Sequence, residues 1–366
     1  MRYLAMGVLA AAVLATGSRV ETSPAALAVD RAVQWLASVQ GRDGGWGQDG
    51  GETSYVRAGE RLESNGNDVA NTAVATLALL RAGGTPTRGV SAAVERGVEF
   101  VVRQVEASPE QGLAVTSITG SQIQRKLGPY IDTFVTSMLL AEIDGNMASP
   151  AANDRVRRAL EKVVRKIERH QQTDGSWNTS GGWAPILGTS MASQSLYRAQ
   201  EKGARVNSKA LARIDDYTRK SAAAKRATGV AGAASPAAAG VPLYQSAQEL
   251  EQLSRTAADR ATNASDIRAI VKELCNARFV AGYGLMGGEE FFSYLNISDS
   301  LRRAGGEDWR QWNTQVKARV VDMQSPGGYW AGHHCITGRV AVTSAAVLTL
   351  AADRDFKTNE TADGRR

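Results

Sequence analysis

Gln40-Gly41-Arg42-Asp43-Gly44-Gly45-Trp46 spells out a glutamine, three residues, a glycine, one residue and a tryptophan, and the spacing returns at Gln171 to Trp177 and at Gln324 to Trp330. Each copy follows a basic, partly apolar stretch of helical period and leads into an apolar stretch rich in small residues, so the unit reads helix, glycine-rich turn, helix. One such hairpin cannot bury its apolar face alone; stacked neighbours can. An all-α repeat protein is the expectation.

Composition agrees. The chain has 366 residues, 43% of them hydrophobic but only 6% aromatic, with abundant Ala and Gly, which suits closely packed helices. The net charge of +6 comes from 43 basic and 37 acidic residues scattered along the chain. Runs such as Arg155 to Arg169 have the spacing of a solvated helix face, and no basic stripe with interleaved aromatics speaks for nucleic acid. Residues 1–20 open on a short charged start followed by the apolar run Leu4 to Thr16, the pattern of a secretory signal peptide; a retained N-terminal anchor is the alternative. Export to the periplasm or beyond is therefore expected. In that compartment Cys275 and Cys335 suit a disulfide, against a metal site shared with His333 and His334.

Between residues 25 and 354 six hairpins can be laid out. Inner helices are expected at Asp68 to Arg81, Tyr130 to Ile143, from Leu187, and Gly338 to Ala351. Two further pairs fall between Asn207 and Gly306, around an Ala- and Gly-rich loop at 222–241, and a polar tail occupies 355–366. Leu80-Arg81-Ala82-Gly83-Gly84 and Arg302-Arg303-Ala304-Gly305-Gly306 both read as glycine-closed helix ends. Aligned on these features, Thr72, Thr136, Ser190 and Thr343 share one position, a small hydroxyl that lets inner helices approach closely.

Arg31-Ala32-Val33-Gln34-Trp35-Leu36, then Gln40 and Gly44-Gly45-Trp46, resembles the repeat signature of the squalene-hopene cyclase and prenyltransferase superfamily. The later copies keep Gln, Gly and Trp but carry Lys166 and Arg319 where the family prefers an aromatic. The resemblance covers nearly all of residues 25–354 and implies an α/α toroid, six inner helices ringed by six outer ones. It also implies that Gln40, Trp46, Gln171, Trp177, Gln324 and Trp330 are scaffold, tying one helix end to the next. Fold alone does not give function.

The family chemistries lack their residues here. Cyclases of this kind protonate an alkene from an Asp-x-Asp-Asp cluster, which the sequence does not contain, and six Phe, seven Trp and nine Tyr are few for a carbocation cavity. Prenyltransferases hold zinc at inner-helix starts, where this chain offers Asn71-Thr72, Thr189-Ser190 and Val342-Thr343. The Cys-Gly-Glu-Gln of complement-type thioester domains is missing as well.

Four residues before the shared hydroxyl the alignment reads Asp68, Asp132, Ile186 and Arg339, with Glu290 joining from the fifth hairpin and His333 and His334 nearby. Asp and Glu at helix starts are often no more than caps. As a functional ring the same groups suit a divalent cation, or an acid and base for cleaving a polysaccharide, to which toroidal pectate lyases offer a loose similarity at Asp68-Val69-Ala70-Asn71-Thr72. No other cofactor is implied. The segments Gly287 to Phe292 and Asp308 to Trp312 resemble those of exported bacterial proteins with cyclase-type repeats. Binding of a small hydrophobic molecule, a glycan or a protein in or on the central cavity, with peripheral membrane contact left open, is the leading expectation; a carboxylate-dependent enzyme is the alternative.

Overall fold

The computed structural model describes residues 23–49, 66–83, 88–177, 185–228, 240–254, 257–274, 276, 288–333 and 336–354. Segments 1–20 and 355–366, and the residues Cys275, His334 and Cys335, lie outside them.

Six helices form a closed inner ring: α2 (Val69–Ala82), α5 (Ile131–Ile143), α7 (Pro185–Glu201), α9 (Gly240–Leu253), α12 (Gly288–Ala304) and α14 (Arg339–Leu350), each against the next and α14 back against α2. Around them run α1 (Pro24–Ser38), α3 (Arg88–Ala107), α6 (Pro150–Arg169), α8 (Ser208–Thr228), α11 (Ala264–Leu274) and α13 (Gly306–Asp322). Two short helices remain among the described residues, α4 (Gln122–Leu127) and α10 (Ala257–Thr262). This is an α/α toroid.

Sequence explains which helix goes where. Outer helix α6 is amphipathic, burying Val156, Ala159, Leu160, Val163, Val164 and Ile167 at the spacing of one helical face, and it starts on Ser149, whose side chain caps Ala152 N ahead of Pro150. Inner helix α5 has no polar face, because all thirteen of its residues are buried. Its Thr133, Thr136, Ser137 and Ala141 keep it slim enough for neighbours on every side. The segment expected to be a loop at 222–241 is partly helical: α8 continues to Thr228 and α9 begins at Gly240, since Ala is the strongest helix former. Residues 229–239 lie outside the description.

The three repeat turns are built alike. Nε2 of Gln40, Gln171 and Gln324 donates to the carbonyl of Gly44, Gly175 and Gly328 in its own turn, and also to Ala93, Ala210 and Ala28 on the following outer helix. An arginine three residues after each of those alanines, Arg96, Arg213 and Arg31, returns a bond to the glutamine Oε1. Gly44, Gly175 and Gly328 have φ of 92°, 96° and 84°, and a Cβ at any of them would press on the carbonyl of that same arginine. The tryptophan indoles donate to Leu36, Ile167 and Val320 carbonyls, and their backbone amides donate to Thr72, Thr189 and Thr343 hydroxyls.

Those last contacts correct the register expected from sequence. The equivalent hydroxyls are Thr72, Thr189 and Thr343, with Thr133 bonding the Leu113 carbonyl in the second hairpin, rather than Ser190 and Thr136. The stretch between turn and inner helix differs in length from hairpin to hairpin, so an ungapped reading slips.

Candidate functional site at the barrel mouth

The inner helices start at one end of the barrel, the mouth, where α2 and α5 bring two carboxylates together. Asp68 is the N-cap of α2; its Oδ1 accepts from Asn71 N at 2.8 Å and its Oδ2 from Asn71 Nδ2 at 2.8 Å. Asp132 lies in the first turn of α5, whose N-cap Tyr130 makes no side-chain cap bond. Asp132 Oδ1 accepts from Ala70 N at 3.0 Å, so both carboxylates serve the N-terminus of α2, where the unpaired amides and the helix dipole favour negative charge. Both are buried, at 1% and 2% exposure. Burial pushes Asp68 up to about 6 against the bonds from Asn71 and Ala70. Burial, then the Asp68 charge, pushes Asp132 up to about 7, against the bonds from Gln124 and Ala70.

Helix α4 lies over this pair. Gln124 closes a capping box with Ser121 and donates Nε2 to Asp132 Oδ2 at 2.7 Å and to the Ile118 carbonyl at 2.9 Å. Gln122 reaches the opposite side, donating to Thr337 Oγ1 at 2.9 Å and accepting from Thr337 N and Gly338 N just before α14. The helix also packs on the start of α7, where Leu127 O faces Gly188.

The other expected ring members stand apart from the pair. Arg339 folds back on Asp49, which accepts from its backbone N and its Nε, and the guanidinium lies 5.8 Å from the Trp35 ring and 5.2 Å from the Tyr329 ring. Glu290 is buried on α12 near Tyr294. The Tyr294 hydroxyl is pushed up to about 12 by burial, against the charge and hydrogen bond of Arg319 and with the Glu290 charge adding to it. His333 is exposed. Thus Asp68 and Asp132 meet while Glu290, His333 and Arg339 each sit in separate surroundings. Among the described residues no set of three or more His, Cys, Asp or Glu is grouped to hold a metal, and no helix is long and apolar enough to cross a membrane.

Sequence reasoning did not single out Gln122, Gln124 or Asp49. The Ser121-Gln122-Ile123-Gln124 pattern, a capping box, was the available signal for α4.

Below the mouth the barrel is crossed by polar side chains. Gln194 on α7 donates to Asn296 on α12 at 3.0 Å, although α9 stands between those helices in the ring. At the inner-helix C-termini Arg198 pairs with Asp299, Arg81 reaches both Asp299 and Glu142 at 3.6 Å, and Arg303 pairs with Glu251. Burial works against the Asp299 charge, but Arg198, Arg81 and Arg303 outweigh it and hold the carboxyl below its usual range. On the outer wall, beside the first repeat turn, an open groove of about 430 Å³ is lined by Arg42, Asp43, Glu95, Arg96, Glu99 and Arg103 with the start of α6.

Comparison with known proteins places this architecture. The model of the squalene-hopene cyclase C-terminal domain matches residues 6–121. The type II terpene cyclase MstE from Scytonema, as a variant in complex with its substrate geranylgeranyl dihydroxybenzoate, superposes with a TM-score of 0.52 at 14% identity, covering 90% of this chain and 97% of that one. The apo form of MstE gives 0.50 at 14% identity over 90% and 98%. No curated protein sequence matches. The chain has the terpenoid cyclase-like α/α toroid fold.

Proposed function

We propose that this protein is an exported binding toroid that holds a polar polymer, a protein segment or a glycan, on its outer surface and does not cyclise a hydrocarbon. One observation carries the reading: Gln194 and Asn296 join across the barrel interior, backed by the charged pairs of Arg198 and Arg81 with Asp299. A cation-forming cyclisation needs an apolar chamber with aromatic faces, and a prenyl chain placed here would strip buried polar groups of their partners. The groove at Arg42, Glu95 and Arg103 offers charges of both signs to a polar partner. Native mass spectrometry of protein purified from its own host tests this. A mass excess that denaturation releases, of polysaccharide or peptide type, is expected; a bound isoprenoid would contradict it.

A second reading draws on Asp68 and Asp132. A carboxyl pushed up to about 7 beside a second carboxylate is a competent general acid near neutral pH, and the MstE fold hosts an enzyme. Against it, each of the four oxygens already accepts a bond from this chain.

A further inference from the structure

We infer that α4 is a hinged strap across the barrel mouth, closed while the Asp68 and Asp132 pair shares a proton and released when both carboxylates are charged. The inference is independent of what the protein binds.

The fold gives α4 the geometry of a strap. Six residues of helix lie between Gly120 and Gly128, whose φ values of 78° and 114° belong to the region where glycine is favoured. A side chain on Gly120 would meet nothing within 4 Å, and one on Gly128 only the Gly188 backbone at 3.8 Å, so it is backbone conformation rather than crowding that calls for glycine at both ends of the strap. Two glutamines moor the strap: Gln122 to the residues before α14 and Gln124 to Asp132. Ile123 and Leu127 seat its apolar side against the ring. The apolar seat is only two large side chains wide, so the moorings weigh heavily in whether the strap stays down.

One of those moorings is ionisable, and its surroundings decide the direction of the switch. From α2 it faces Asp68 alone. Helix α7 presents no ionisable residue in residues 185–196, and α5 carries none besides Asp132 until Glu142 at its far end. On α4 itself Arg125 is exposed and Lys126 half-buried, and at α14 Arg339 is engaged by Asp49. Among the described residues no cation offsets a second negative charge, and the neutral Gln124 amide is the sole side-chain donor shown for Asp132. Lifting α4 brings water to the carboxylates, which relieves burial and repulsion together. The closed strap consequently binds a proton more tightly than the open one, so raising the pH favours opening.

Hydrogen exchange of the full chain, followed by mass spectrometry and corrected for intrinsic rates, reads this directly. Peptides covering 118–128 are expected to open at least about tenfold more between pH 5 and pH 8, while peptides from the body of α5 change far less. Asp132→Asn and Asp68→Asn, either of which removes the second charge, are expected to flatten that dependence. Gln122→Ala, which cuts the other mooring, raises opening at both pH values and leaves the dependence in place. Strap exchange that does not change with pH in the wild-type protein, or that changes as strongly with pH in both Asn variants as in the wild type, overturns the inference. The wild-type series stands alone should a variant fold poorly.

Discussion

The side-chain nitrogen of Gln324 lies 2.8 Å from the carbonyl oxygen of Ala28, a contact between residues 296 positions apart. Arg31 completes it by donating to Gln324 Oε1 at 2.5 Å, so the last hairpin meets the first through the same joint that links first to second and third to fourth. The repeat motif is thereby also the ring closure. This joint lies where no covalent link spans the ring, and it acts beside the packing of α14 on α2, whereas sequential hairpins are also joined by the chain.

Gln324→Ala removes two donated bonds and leaves Arg31 without its side-chain acceptor. A loss of about 1–3 kcal/mol in chemical denaturation is expected. Limited proteolysis should show α1 cut sooner than in Gln40→Ala, where the covalent chain still holds the neighbours together. Equal α1 cutting in the two variants would argue against a special role in closure.

Gly175 has both a positive φ of 96° and the Arg213 carbonyl where its Cβ would stand; Gly145 has a φ of 82° and nothing within 4 Å. Gly145→Ala is expected to cost about 1 kcal/mol, from backbone conformation alone. Gly175→Ala adds a collision at the joint and should cost clearly more, read as the larger fall in melting temperature.

Asp299→Asn leaves Arg81 and Arg198 facing each other with their shared carboxylate neutralised. Breaking a buried pair from one side costs roughly 3–5 kcal/mol. A double variant, Asp299→Leu with Arg198→Met, is expected to recover part of that loss, because it also removes a buried cation. Further loss in the double variant would show that the pair contributes beyond charge balance.

Asp132 is held above its usual range, so the folded state binds its proton more tightly than the unfolded state. The associated stability is fully present below pH about 4, the ordinary carboxyl range, and is lost as pH rises to about 7, after which it levels off. Asp132→Asn is expected to flatten that stretch of the melting profile. At pH 8 it should be the more stable protein, by at most ~4 kcal/mol, offset in part by the poorer partner its amide makes for Gln124. A wild-type profile that rises between pH 4 and 7 would contradict this.

Much of this architecture was legible in the spacing of glutamine, glycine and tryptophan, because those residues make the same bonds in three hairpins. The arginines of the joint were legible too, in Ala28-Val29-Asp30-Arg31, Ala93-Val94-Glu95-Arg96 and Ala210-Leu211-Ala212-Arg213, but an arginine on an outer helix ordinarily reads as solvated surface. The mouth was harder. Asp68 and Asp132 do meet, yet not as equivalent members of a ring: Asp132 stands one residue before Thr133, and Asp68 four before Thr72. Asp132 reaches Ala70 N on a neighbouring helix, and a contact across 62 residues leaves no periodic trace. The placement of α4 has the same origin, since Gln122 finds Thr337 across 215 residues.

The polar interior is the claim on which the functional account depends, and product analysis tests it most directly. The purified protein, with Asp132→Asn in parallel, is incubated with squalene and with geranylgeranyl dihydroxybenzoate, and the extracts are analysed by mass spectrometry coupled to chromatography. The expected result is linear substrate recovered unchanged from both proteins. A cyclised product made by the wild type and lost in Asp132→Asn would contradict the account and make the buried carboxyl a catalytic acid.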